Sequence, residues 1–234
     1  MFCIFKKILG GIILKNKSRL FWGSYIGFWL IWLIVQTFLY SIIIKLPQFT
    51  STYDLLINFV IKGVVWLSLT FWLLHTFKKQ LFVKTQKLFN RNFPKEFWIL
   101  LVIFLIYLFI SAISSKHGIK LISHPFTTRG GQLLGIVFGA GFFEELVFRA
   151  GYLNILLTKI KKWPAIFIST IMFLLIHLPV YFVSNMNISA WIINILTVLV
   201  IGTLMGWIFT QSKNIWPSII LHCVWDTLTF LLIA

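Results

Sequence analysis

Seven mostly apolar runs of about 20 residues, set between short segments that hold most of the basic residues, leave this chain few ways to fold. They lie roughly at 21–44, 55–77, 97–113, 132–157, 163–183, 188–210 and 215–234. At about 1.5 Å of rise per residue such a run crosses the roughly 30 Å hydrocarbon core of a bilayer as a helix. Only 11% of residues are charged and 59% are hydrophobic, whereas a soluble domain carries charge on about a quarter of its residues. The expected fold is an all-α polytopic membrane protein of about seven transmembrane helices. The first twenty residues alternate short apolar and basic pieces with no small-residue cleavage pattern, which predicts an N-terminal interfacial helix rather than a removed signal.

The basic residues orient these helices. Lys6, Lys7, Lys15, Lys17 and Arg19 precede the first run; Lys78, Lys79, Lys84, Lys87, Arg91 and Lys95 separate the second from the third. Lys159, Lys161, Lys162 and Lys213 fall on the same side, against Lys45, Lys116, Lys120 and Arg129 on the other. Fifteen against four predicts a cytoplasmic N-terminus and an outside C-terminus. This distribution also accounts for the net charge of +16 without nucleic acid. Cys3 and Cys223 form neither a disulfide framework nor a thiolate metal site. KKWPAI at 161–166 and KNIWPSI at 213–219 each put an interfacial Trp before a Pro suited to a first helical turn, so both helices enter from the cytoplasmic side.

Three of the five acidic residues, Glu144, Glu145 and Asp226, lie inside apolar runs. A carboxylate there costs about 3 kcal/mol on insertion scales, so its position marks function. Glu145 and Arg149 are four apart and share a helix face, which predicts a neutralising pair. Glu144 is turned about 100° away, has no intrahelical cation, and is the better candidate for chemistry. His222 and Asp226 are also four apart, so the carboxylate can orient the imidazole. His177 follows Phe173 by one turn. A lone histidine in an apolar helix is ordinarily a hydrogen-bonded packing residue, but two histidines, a Glu and an Asp in the last four runs find their cheapest partners in one another.

EELVFR at 144–149, FLLIH at 173–177 and HCVWD at 222–226 match EExxxR, FxxxH and HxxxN/D in order on successive helices. Over about residues 130–234 this triple resembles the CPBP family, the CAAX prenyl protease 2 (Ras-converting enzyme) and bacteriocin-processing group that includes Abi and lysostaphin-resistance-protein-A-like proteins. The resemblance implies an intramembrane endopeptidase with an active-site cavity in the last four helices, preceded over 1–120 by the interfacial helix and three transmembrane helices. It implies that Glu144 activates water with help from His177, while His222 and Asp226 surround the scissile carbonyl oxygen. Glu145, Arg149 and Phe173 complete the motifs. A poorly solvated carboxylate is a stronger base towards water, and fixed donors stabilise a developing oxyanion. Where the family often has Asn, this chain has Asp226, which as a carboxylate would repel an oxyanion and is better suited to orienting His222.

Glu144, His177, His222 and Asp226 are also a nitrogen/oxygen set of the kind that holds catalytic zinc. No HExxH spacing accompanies them, so a glutamate-type, metal-free hydrolase is favoured, with zinc as the alternative. Counted along the helices, His177 lies roughly 20 Å beyond Pro164 but His222 only about 8 Å beyond Pro217, so their convergence requires tilt, a displaced helix or a deep cavity. Gly135, Gly139, Gly141 and Gly151 permit close helix approach. Lys62 reads as a buried or cavity-lining residue whose stem could snorkel; His75, His117 and His124 give no metal spacing. The expected partners are a peptide or membrane-protein substrate and the lipid bilayer. An AT-rich bacterial composition favours peptide processing over prenylated substrates. A non-enzymatic role in bacteriocin self-immunity or scaffolding is the alternative on the same fold. Transport is disfavoured, because paired broken helices in two halves are not evident.

Overall fold

The computed structural model describes residues 2–39, 42, 54–114, 133–184 and 186–232, with side chains described from residue 16 onward. The expectations for Lys45, Lys116, Lys120, His117, His124 and Arg129 lie outside these residues. All regular elements among the described residues are helical. Helix α1 is Phe2–Ile34, continued in wide turns over Val35–Leu39. Helix α2 covers 54–76, first in wide turns (Asp54–Ile61) and then as Lys62–Thr76. Helix α3 is Lys95–Ser114. Helix α4 covers 135–156, wound in wide π turns over Gly135–Glu144 and Leu146–Leu153 and closed by Asn154–Leu156. Helices α5 (Lys162–Leu175), α6 (Leu178–Val183), α7 (Ile188–Ser212) and α8 (Trp216–Leu232) follow.

Among the described residues, five helical stretches are long and apolar enough to cross a membrane: Asn16–Leu39, Leu55–Thr76, Lys95–Ser114, Lys162–Val183 and Ile188–Ser212. Trp216–Leu232 is apolar but shorter. The segment expected as an interfacial helix is helical and runs without a break into the first of these. Lipid-facing and core-facing sides separate cleanly. In α3, Phe97, Leu100, Phe104, Leu108 and Ala112 are buried at three- and four-residue spacing, while Trp98, Ile99, Val102, Ile103 and Ile106 are exposed. Helix α1 does the same with Phe21, Tyr25, Phe28 and Trp32. Phe28 and Trp32 meet Trp66 of α2 edge to face at 5.0 and 5.3 Å, and Phe21 meets Tyr152 of α4 at 5.3 Å.

Helix α4 is the central element, buried almost throughout its second half. Its neighbours approach closely because glycine stands at the contacts. A Cβ at Gly139 would collide with the Asn58 carbonyl of α2, and one at Gly141 with the Cys223 sulfur of α8.

One end of the bundle gathers the basic segments. The Lys17 ammonium donates to the Thr76 carbonyl at the end of α2, and Lys159 lies over the rings of Phe21 and Phe77. Residues 77–94 fold across this end. Asn154 clamps Val83 there, its amide nitrogen donating to the Val83 carbonyl at 2.9 Å and its amide oxygen accepting from the Val83 N–H at 2.7 Å. Asn214 donates to the Asn92 carbonyl at 2.6 Å, and the Ile215 N–H to the Leu88 carbonyl at 2.8 Å. Asn214 and Ile215 are wholly buried, so α8 starts beneath this cover. His222 reaches the Phe173 ring near the end of α5, 6.1 Å away by ring centres.

Candidate functional site

The break between α5 and α6 places His177. Pro179 has no N–H to donate to the carbonyl four residues back, and its ring crowds that carbonyl. The acceptor left free is Leu175 O, and the Trp29 indole of α1 donates to it at 2.9 Å. One turn earlier, the Tyr25 hydroxyl donates to Met172 O at 2.8 Å. His177 caps α6, and its Nδ1 donates to the Phe173 carbonyl at 2.8 Å. Since that oxygen can only accept, the neutral imidazole presents its lone pair at Nε2. Nε2 lies 4.0 Å from Glu144 Oε2.

Glu144 and Glu145 diverge as their positions on α4 require. Glu144 faces α2 and α5, and its Oε1 is bonded by the Lys62 ammonium. Glu144 has no cation within its own helix, as expected; its cation comes from α2. Lys62 sits where α2 changes from wide to ordinary turns, and its head lies 4.5 Å from the Trp66 ring and 5.7 Å from the Trp32 ring. Its stem does not snorkel to water: the charge is held inside. Next to it, Gly63 lets the Phe143 ring approach; a Cβ there would meet the ring at 3.1 Å.

Glu145 faces the other way and is fully buried. Its Oε2 lies 3.2 Å from Arg149 Nε, the expected i,i+4 pair, and its Oε1 accepts from His222 Nδ1 at 2.8 Å. His222 Nε2 lies 3.3 Å from Asp226 Oδ2. The guanidinium of Arg149 also stacks 4.7 Å from the Phe173 ring centre. Phe173 stands between the two histidines, 4.7 Å from His177 and 6.1 Å from His222 by ring centres.

The seven motif residues therefore assemble into two charged groups. Glu144 and His177 line a cavity of about 250 Å³ together with Trp32, Gln36, Asn58 and Lys62. Glu145, Arg149, His222 and Asp226 form a chain behind Phe173 and do not line that cavity. The cavity is walled by α1 and α2 as well as by the last helices. Its residues on α2, Trp66, Lys62 and Asn58, begin some 15 Å from Thr76 at about 1.5 Å per residue and run away from it, so the cavity extends from mid-bundle towards the end opposite the basic segments. Lys62 was legible in the sequence as a buried cation, but its partner was not, because the pairing joins residues 82 apart.

This arrangement does not fit the zinc set. Glu144 Oε1 is held by an ammonium, His222 has a carboxylate against each ring nitrogen, and Phe173 stands between His222 and His177, whose Nε2 alone is open to a ligand. Among the described residues no three His, Cys, Asp or Glu side chains converge as a metal site.

The family model for type II CAAX prenyl endopeptidases, Rce1-like, matches residues 128–228, which carry all three motifs. No curated protein and no solved structure matches the chain. The motif residues lie on a helical membrane scaffold, and this match across the C-terminal helices supports the assignment of residues 128–228 to the CPBP family.

Proposed function

We propose that the protein is an intramembrane endopeptidase of glutamate type that hydrolyses a peptide bond in a membrane-proximal peptide or protein. The observation that carries this reading is the 4.0 Å separation of Glu144 Oε2 and His177 Nε2 on the wall of one cavity. Two acceptors at that distance share one water at about 2.8 Å from each, with an angle near 90° at its oxygen. Such a water gives both its protons to the pair and turns its lone pairs to the cavity. Glu144 takes the proton as the oxygen attacks the scissile carbonyl, and returns it to the leaving amine.

The second group supports the first. Glu145, Arg149 and His222 join α4 to α8 and hold Glu144 towards the cavity. His222 lies behind Phe173 with both ring nitrogens against carboxylates, so in this reading it acts through Glu145 and not as the donor to the oxyanion expected from the motif. By the positive-inside rule the basic end is cytoplasmic, and the cavity opens in the outer half of the membrane.

The test is cleavage of a panel of membrane-proximal peptides by purified wild type and Glu144→Gln, with and without EDTA. The expected result is cleavage that is lost in the variant and survives the chelator. Loss with EDTA and recovery with zinc would replace the glutamate mechanism by a metal one. Turnover retained by Glu144→Gln would refute the role of that residue.

A further inference from the structure

We propose that Lys62, on a helix outside the region matched by the family, is the positioning residue of Glu144, holding one carboxylate oxygen so that the other faces His177. This rests on the protease reading above. Three observations point to it. The Lys62 ammonium bonds Glu144 Oε1, which leaves Oε2 as the oxygen directed at His177 Nε2. Both residues are buried, and both line the same cavity. The ammonium is also fixed from its other side by the faces of Trp66 and Trp32, so it is a preorganised counter-charge and not a mobile one.

The contact has a built-in register. Lys62 and Gly63 lie against Phe143 and Glu144, and the absence of a side chain at Gly63 sets how closely the two helices meet. A free carboxylate on a flexible glutamate stem would rotate about its terminal torsion, which is broad and roughly two-fold. Clamping one oxygen removes that freedom. The clamp acts on the geometry of attack, where a misplacement of about 1 Å costs on the order of 100-fold in rate. Lys62 does not itself meet the reacting water in this arrangement; its effect passes through Glu144.

The nearby groups limit the alternatives. Arg149 is committed to Glu145 and to the Phe173 ring, and His177 Nδ1 to a backbone carbonyl. Neither supplies the Oε1 contact in place of Lys62.

The experiment has two arms. In the first, thermal unfolding in detergent is measured for wild type, Lys62→Met, Glu144→Gln and the double variant. Each single change leaves a buried charge without its partner, so each lowers Tm, and the double variant recovers at least half of the larger loss. Strictly additive losses would overturn the pairing, whether or not any peptide is cut. In the second arm, a peptide that wild type cleaves is used to separate kcat from KM. Lys62→Met lowers kcat about 100-fold with KM within about twofold, and Lys62→Arg, which keeps the charge, recovers at least a tenth of wild-type kcat. An unchanged or raised kcat, or a raised KM with kcat intact, would overturn the positioning role. If wild type cleaves no peptide in the panel, the protease reading fails by itself, and the melting cycle still decides the Lys62–Glu144 pair.

Discussion

Replacing Arg149 by Met tests the buried charge chain that joins α4 to α8. The guanidinium is almost wholly inaccessible and lies 3.2 Å from Glu145, which is itself fully buried. At that distance an effective dielectric of about 20 gives an attraction of about 5 kcal/mol. The net loss is smaller than the sum of contacts, because Glu145 keeps His222 at 2.8 Å. Against that, the cation over the Phe173 ring at 4.7 Å contributes about 1–2 kcal/mol when desolvated. Removing one partner of a buried pair costs about 3–5 kcal/mol in total, most of it from the stranded charge. For a chain of this size each kcal/mol moves Tm by about 2–4 °C, so Arg149→Met should melt roughly 10 °C below wild type. The assay is thermal unfolding of purified protein in detergent, followed by tryptophan fluorescence. The double variant Glu145→Gln/Arg149→Met, which removes the stranded charge, should recover more than half of the loss. A single variant that melts within about 2 °C of wild type would refute the reasoning, and so would a double variant no more stable than the single.

Two further outcomes follow from the packing. Gly141→Ala should lower both Tm and turnover, because its Cβ meets the Cys223 sulfur and pushes α8, with His222, away from Glu145; adding Cys223→Ala should restore part of both, and no restoration would show that the contact is not the cause. Asn154→Ala removes both bonds to Val83 and leaves a buried donor and acceptor unpaired, a cost of about 2–4 kcal/mol; limited proteolysis should then cut within residues 77–94 faster than in wild type, and an unchanged cleavage rate there would count against the clamp.

Several parts of the site were legible because they are local. Glu145 with Arg149 and His222 with Asp226 are each four apart on one helix, and helical geometry alone brings such pairs together. The divergence of Glu144 from Glu145 follows in the same way from their adjacency on α4. The break that sets His177 has its cause in Pro179 two residues later, but the run at 163–183 reads as a single span by hydropathy, and the break came only from the structure. Asn154 and Asn214 gave no such signal. Each is a single polar residue near a helix end, and its task of holding the cover over the basic end depends on where residues 77–94 pass.

By itself, the sequence determined a bundle of membrane-spanning helices, the segregation of basic charge between them, and the side chains able to do chemistry. Hydropathy over about 20 residues and i,i+4 spacing are properties of one helix and need no knowledge of its neighbours. Only the tertiary structure decided that Lys62 meets Glu144, that His222 meets Glu145, and that these fall into two groups on either side of Phe173. Those contacts join residues 82 and 77 apart. They depend on how deep each helix sits and how it is rotated, which close packing at Gly139 and Gly141 and the buried start of α8 settle together.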